Sequence, residues 1–346
     1  MKVAIVYNEI IPDVKIQEPV EAPKDLGFQP YFEISESDPI TEFEFIAESL
    51  RKEGYDAYVL NILDDVHVFL EDLDKNNPDV IFNFVEIYRD KPHLEMAFAG
   101  MFELLRIPYT GANPVALGTC QNKLLTKKIL KSLGIRTPKY KLVKDKKQTY
   151  RLGLNYPLIV KPVREDASVG IENDSIVTNH EDLKNRIHYS ISYFNQPALV
   201  EEFIEGRELN VAVLGDKYPE VLPISEIDFS RMPDNLHNIV SYHAKWDPMH
   251  EAYHKTIPVC PAELPERIEK EAGRIAIESF KAVGARDYAR VDMRLSKDNK
   301  LYVLEVNPNP DLKEDAGFMR SMSHAGYSFR KTLKTIVDLA WERREK

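Results

Sequence analysis

Four side chains in the stretch Ala289–Pro310, ARVDMRLSKDNKLYVLEVNPNP, have the types and spacing to handle a metal-bound polyphosphate: Arg290, Asp292, Glu305 and Asn307. Two apolar-alternating runs, Tyr288 to Leu295 and Leu301 to Val306, flank Ser296, Lys297, Asp298 and Asn299, which predicts a β-hairpin. Alternation along a strand puts Arg290, Asp292 and Arg294 on one face and Val291, Met293 and Leu295 on the other. A two-residue Asp298-Asn299 turn sets Asp292 opposite Glu305, a four-residue loop sets them diagonally, and an odd-length loop parts them. In either even register two carboxylates meet. A cation between them relieves their repulsion, and Asn307 adds a neutral oxygen on the same face. Such hard oxygens suit Mg²⁺, which keeps few protein ligands and fills its shell with phosphate and water. The hairpin therefore reads as a Mg²⁺-nucleotide platform. A solvated surface hairpin accounts for Arg294 and the turn, but not for a carboxylate and an amide alternating with Leu304 and Val306 and stopping at Pro308 and Pro310.

Cationic and acidic signals upstream fit the same chemistry. YPLIVKPVREDASVGI, Tyr156 to Ile171, is a strand ending in Lys161 followed by a small-residue loop with Ser168 and Gly170. Backbone N–H groups of such a loop can fold over phosphate oxygens, with Lys161 as a point charge. PALVEEFIEGRELNVAVL reads as two strands around Gly206, carrying Glu201, Glu202 and Glu208. Solvated edge carboxylates look the same, yet a purine and its ribose need amino and hydroxyl acceptors of this kind. Lys123 sits in the first turn of a helix, where a cation is mildly disfavoured unless an anion is bound. Lys245 and Trp246 are a long cation and a large aromatic in a polar loop, suited to closing over a ligand. His237, His243, His250 and His254 match no structural zinc spacing and have no cysteine partner, so they read as loop residues.

The elements that position these groups follow from periodicity. Lys2 to Tyr7 is a buried strand, Ile40 to Glu53 a helix stopped by Gly54, Asp56 to Leu60 and Val80 to Phe84 further strands, and Glu95 to Leu105 a helix leading to IPYTGA. Alternating strands and helices predict an α/β unit with a mostly parallel sheet. The stretch Asn8 to Pro39, rich in Pro, Asp and Glu, is assigned to no element. Asn122 to Leu133 is a helix with Leu125, Ile129 and Leu133 on one stripe and Gly134 as its stop. Val221 to Pro258 is irregular. Pro265 to Val283 is a helix expected to pack behind the hairpin, and Ser328 to Arg343 is a final basic amphipathic helix.

Composition narrows the class. A chain of 346 residues suggests two or three domains, with 43% apolar and 29% charged residues as in ordinary globular proteins. A net charge of −10 argues against a general nucleic-acid binder. Cys120 and Cys260 are the two cysteines, too few for a disulfide framework, and the N-terminus lacks a signal-peptide layout. No apolar run spans a bilayer. The expected location is the cytoplasm.

Taken together, FELLRIPYTGA, the Lys123 helix, VKPVREDASVG, LVEEFIEGRELNVAVL, HAKW, GARDYARVDMRL and YVLEVNPNP occur in an order that resembles the ATP-grasp superfamily, and within it the D-alanine:D-alanine ligase branch. The resemblance runs from about Met101 to Ala340. It implies an α/β (α+β) ATP-grasp fold with an N-terminal parallel-sheet domain over 1–117, a central lid over 118–204 and a C-terminal antiparallel-sheet catalytic unit over 205–346. It further implies that Lys123 and Lys161 hold the α- and β-phosphates and that the loop of Ser168, Val169 and Gly170 closes over the β/γ end. Glu201 would accept from the adenine amino group, Phe203 and Ile204 would line the hinge, and Glu208 would bind the ribose. Lys245 would reach the γ-phosphate, and Asp292, Glu305 and Asn307 would hold two Mg²⁺, or Mn²⁺ in their place. Arg290 would stabilise the oxyanion, with Lys245 and Ser168 also in catalytic roles, in a homodimer without membrane or nucleic-acid partners.

The implied reaction is ATP-dependent ligation of a small-molecule carboxylate to an amine through an acyl phosphate. Departures from the family fall on the amino-acid side. NEIIPDVKIQEPVE lacks the Gly-rich segment that grips the first substrate, and FNFVEIYRDKPHLE replaces a His-Gly and Gly-Glu-Asp-Gly segment. Trp246 stands where a Tyr is expected, and Asp311 follows NPNP in place of Gly. The expectation is therefore a different amino-acid, peptide or carboxylate pair from two D-alanines, with Glu86, Arg89 and Trp246 as pocket residues. The alternatives are a true D-alanine:D-alanine ligase with an altered grip and a catalytically silent ATP-binding module.

Overall fold

KVAIVY is apolar at five successive positions, the pattern of a strand covered on both faces. The computed structural model describes residues 1–9, 39–146 and 152–344. In it β1 (Lys2–Tyr7) lies between β2 (Asp56–Asn61) and β3 (Val80–Phe84), all parallel, in the order β2-β1-β3. Val3 and Ile5 pack with Ile46, Ala47 and Leu50 of α1 (Pro39–Lys52). Ala4 and Val6 point the other way, to Phe69 of α2 (Val66–Asn76) and to Phe98 and Phe102 of α3 (Glu95–Leu104). Helix α2 was not anticipated, although Val66, Phe69, Leu70 and Leu73 carry the helical period and Asp65 caps its start by accepting from the His67 N–H. The unassigned stretch 8–39 lies, apart from its ends, outside the described residues.

After α4 (Pro114–Gln121) comes α5 (Lys123–Ser132), whose N-cap Asn122 accepts from the Leu125 N–H. The expected apolar stripe is overturned. Leu125 and Leu133 are exposed, and the buried face carries Thr126, Lys127 and Leu130.

A second sheet is antiparallel, β4 (Tyr140–Val143), β5 (Leu158–Pro162), β6 (Ile176–Val177) and β7 (Ala198–Glu202) in the order β4-β7-β5-β6. Helix α6 (His180–Phe194) covers it through Leu183 and Ile187. The third sheet holds β8 (Gly206–Leu214), β9 (Glu220–Val221), β10 (Ser225–Asp228), β11 (Ile257–Val259), β12 (Tyr288–Ser296) and β13 (Leu301–Asn307), with the path β11-β10-β8-β12-β13. The two strands read around Gly206 thus separate into different sheets. Gly206 starts β8 at φ +143°, where an added Cβ would stand 2.0 Å from the Leu295 carbonyl oxygen. The region read as irregular contains β9, β10, β11, α7 (Tyr242–Trp246) and α8 (Glu251–Lys255).

The hairpin corrects the expectation on loop length. Ser296 pairs with Lys300 across Lys297, Asp298 and Asn299, an odd loop with Asn299 at φ +57°. An odd loop would part the carboxylates, but a β-bulge intervenes. Leu295 faces Leu301 and Met293 faces Val303, while Asp292 faces Glu305, which leaves Leu304 as the extra residue. The bulge shifts the register by one and returns Glu305 to the face of Asp292.

Val291, Met293 and Leu295 pack against Ile268, Ala272, Ile275 and Phe280 of α9 (Glu266–Ala282), as expected of the helix behind the hairpin. The chain ends with α10 (Gly317–His324) and α11 (Phe329–Glu342), whose Phe318, Leu333, Ile336 and Val337 share one core with Val3, Ile5 and Ala47. Among the described residues no helix is long and apolar enough to cross a membrane.

Candidate active site

Polar residues on otherwise apolar strands turn toward one cavity of about 420 Å³ between the second sheet, which falls within the expected lid and is called the lid sheet below, and the third sheet. Every nucleotide, metal and catalytic candidate from the sequence lines it: Lys123, Lys161, Ser168, Val169, Glu201, Phe203, Ile204, Glu208, Lys245, Arg290, Asp292, Glu305 and Asn307.

Asp292 is the best-satisfied group. It is 6% exposed and takes a fork from Arg290, Nε to Oδ1 at 2.7 Å and Nη2 to Oδ2 at 2.8 Å. Asn307 Nδ2 donates to Oδ2 at 2.7 Å, and Asn210 Nδ2 donates to Oδ1 at 2.7 Å from the neighbouring β8. Asn210 was missed. Its signal was a polar residue two places from Glu208 in ELNVAVL, hence on the same face. Burial would depress the Arg290 charge, but Asp292 more than compensates and raises its pKa.

Glu305, across from Asp292, meets Lys123 Nζ at 3.3 Å. Burial works against its charge, yet Lys123, Lys161 and Arg290 prevail and hold the carboxyl at about 2. Lys123 also donates to the Glu165 carbonyl at 2.7 Å. Two carboxylates and an amide oxygen on one face, each now balanced by a cation or an amide donor, form an all-oxygen donor set that fits Mg²⁺. Among the described residues no group of three or more His, Cys, Asp or Glu gathers to hold a metal.

Several assignments meet a different environment from the one expected. Glu201 is 1% exposed and lies between Lys127 Nζ at 3.0 Å and Lys161 Nζ at 3.5 Å, so its carboxylate is committed to two lysines. Glu208 pairs with Arg294 at 2.8 Å. Arg294, which a surface hairpin would leave solvated, is 2% exposed and lies over the Phe203 ring at 5.3 Å. Ser168 donates its hydroxyl to the Val240 carbonyl at 2.8 Å, and the Val169 N–H goes to the Asp166 carbonyl at 2.9 Å. Ala167, Ser168 and Gly170 all have positive φ, which folds the loop tightly above the cavity.

A second cavity of about 320 Å³ lies at the ends of β1 and β3. Glu86 and Trp246 line it, as do Glu9, Glu42, Glu95 and Asp311. Arg89, grouped with them from the sequence, does not line it, being exposed beside the Tyr88 ring. Lys313 is the cation on this wall, already paired with Glu42 at 3.1 Å. Desolvation, with Asp311 and Asp166 nearby, raises the Glu86 carboxyl although the residue keeps solvent contact, and desolvation with Glu86 nearby raises Glu95 as well. Lys245 and Trp246 are consecutive residues of α7, yet Lys245 lines the first cavity and Trp246 the second. The indole Nε1–H donates to the Ala167 carbonyl at 2.9 Å, joining α7 to the loop over the nucleotide side.

A lid sheet and an antiparallel sheet enclosing a cleft with lysines above and an Asp-Glu-Asn set below define an ATP-grasp fold. The structure superposes on D-alanine–D-alanine ligase from Bacillus anthracis, determined with ATP, with a TM-score of 0.73 at 22% identity over 99% of this chain and 98% of that one. The family described as D-ala D-ala ligase C-terminus matches residues 129–338. D-alanine–D-alanine ligase of Desulforudis audaxviator is 33% identical over 71% of this chain and 77% of the relative. That of Carboxydothermus hydrogenoformans is 32% identical over 87% and 93%. The chain belongs to the D-alanine–D-alanine ligase family and is an ATP-dependent C–N ligase.

Proposed function

We propose that the protein joins the carboxylate of one amino acid or small peptide to the amine of another through an acyl phosphate, and that its substrate pair differs from two D-alanines. The observation that carries this is the second cavity. Its wall presents Glu9, Glu42 and Asp311 beside Glu86 and Glu95, whose raised carboxyls regain their charge when a cation arrives, and with Lys313 already engaged it favours ammonium groups over the carboxylates of small zwitterions. Substrate carboxylate would instead be drawn toward Arg290 and Lys245 at the junction with the nucleotide cavity.

In the reaction so assigned, a substrate carboxylate oxygen attacks the γ-phosphorus as the bond to the ADP oxygen breaks. Lys123, Lys161 and Lys245 offset charge on the phosphates, and Asp292, Glu305 and Asn307 would hold one or two Mg²⁺. The metal would supply Lewis-acid stabilisation of the transferring phosphoryl group. The amine then adds to the acyl carbon, Arg290 stabilises the oxyanion, the amine proton is lost to solvent or a base, and phosphate leaves. The latched loop at Ala167 and Ser168 excludes water, which would otherwise hydrolyse the acyl phosphate. Homodimerisation and the three-part division at 117 and 204 are expectations carried by the family resemblance.

The relatives' coverage favours a second reading, ligation of two D-alanines by an altered grip. ADP release by purified protein, measured across a panel of amino acids and amines in both stereochemical series, separates the two. We expect turnover with a pair other than D-alanine alone. Turnover confined to D-alanine would establish the second reading, and ADP release indifferent to every amino acid would remove both.

A further inference from the structure

The buried face of α5 carries a lysine where an apolar residue would be expected. Lys127 is 1% exposed, lies outside both cavities, and reaches two groups that belong to different sheets. One is Glu201 of the lid sheet, at 3.0 Å, whose other oxygen faces Lys161 at 3.5 Å. The other is the carbonyl oxygen of Leu304, at 3.3 Å, and Leu304 is the extra residue of the bulge in β13.

A buried ion pair is a poor source of stability, because desolvating both charges consumes most of their attraction. The geometry supplies a better reason for it. A bulged residue falls out of the ladder, so its carbonyl needs a donor from elsewhere. Loss of that donor favours the unbulged register. With the odd Lys297-Asp298-Asn299 loop, that register puts Glu305 on the face opposite Asp292. We propose that Lys127 is a positioning residue. It holds the bulge that brings Glu305 to the metal-binding face, and through Glu201 it ties that register to Lys161 of the lid. The proposal rests on the reading of Asp292 and Glu305 as metal ligands.

Four variants test it: Lys127→Met, Glu201→Gln, the double variant, and Glu305→Gln. Two quantities are read: the melting temperature of ligand-free protein, and Mn²⁺ affinity in the presence of ADP, followed by the electron paramagnetic resonance of free Mn²⁺. Lys127→Met leaves the buried Glu201 carboxylate with Lys161 alone, at 3.5 Å, and should melt lower. The double variant removes both charges, should recover most of that loss, and should still bind Mn²⁺ about tenfold more weakly than Glu201→Gln alone. Equal Mn²⁺ affinity in those two would overturn the proposal, since Lys127 would then serve only to neutralise Glu201. Glu305→Gln isolates the underlying reading. Undiminished Mn²⁺ binding there removes the metal assignment itself, whereas weakened binding there with none in the double variant removes only the role of Lys127.

Discussion

Arg290 and Asp292 stand two positions apart on one strand and grip each other in a fork. With Asn210 and Asn307 added, both oxygens of Asp292 are fully engaged, so a metal must displace a donor before it can bind there. Arg290 is the donor whose release is useful, because the freed guanidinium can meet the oxyanion of the second step. Arg290→Ala should therefore keep Mg²⁺–ATP affinity, measured calorimetrically, while kcat for amide formation falls about 10²- to 10³-fold. Loss of nucleotide binding in that variant would contradict the division of labour. At this scale the sequence was legible as far as which residues gather at one cavity, because they are polar on strands that are otherwise apolar. Legibility failed for Lys127 and Arg294, which nothing in the sequence marked as buried. A single chain of letters does not show that Glu201 and Glu208, distant in sequence, arrive to pair with them.

The elements that carry the site are tied to one another by a glycine that lines neither cavity. Gly111 of IPYTGA has φ +84°, and a Cβ there would lie 2.4 Å from Asn309 Oδ1 of NPNP. Its N–H donates to Asp287 at 2.8 Å, and Arg286 Nε donates to its carbonyl at 2.9 Å. One glycine thus joins the end of the parallel sheet to both sides of the hairpin. Gly111→Ala combines a clash with an unfavourable φ, and we expect it to cost about 2–3 kcal/mol, read from urea unfolding. A cost under about 0.5 kcal/mol would mean that Asn309 moves aside freely. Helices and strands with a clear period were readable in advance. The bulge was not, since nothing in LYVLEVN distinguishes a strand with an extra residue from a regular one. The alternation read there gave the right facing for a reason that turned out to be different.

At the level of the whole molecule, the first and last segments share a core. Leu333, Ile336 and Val337 of α11 bury Val3, Ile5 and Ala47, so the chain closes on itself around the cleft. The lid sheet has its own core of Val160, Val200 and Leu183. That separation makes the lid the unit best able to move against the rest. The three-sheet plan was legible from the order of motifs, whereas the return of the C-terminal helices to the first strands was not, because amphipathicity shows that a face is buried and not against what.

Lys245 and Trp246 bind this plan together, neighbours in one short turn that serve separate chambers. The Lys245 ammonium lies over the Trp246 ring at 4.9 Å, so a phosphate that draws it inward takes it off the indole face and removes a contact that holds the ring in place. Filling the nucleotide chamber would then reshape the neighbouring one, and the protein would receive its ligands in sequence, nucleotide first. Initial-rate patterns with a dead-end amino-acid analogue test this directly: uncompetitive inhibition against ATP is the expected outcome, and mixed inhibition against ATP, the pattern of random binding, would show that the turn transmits nothing.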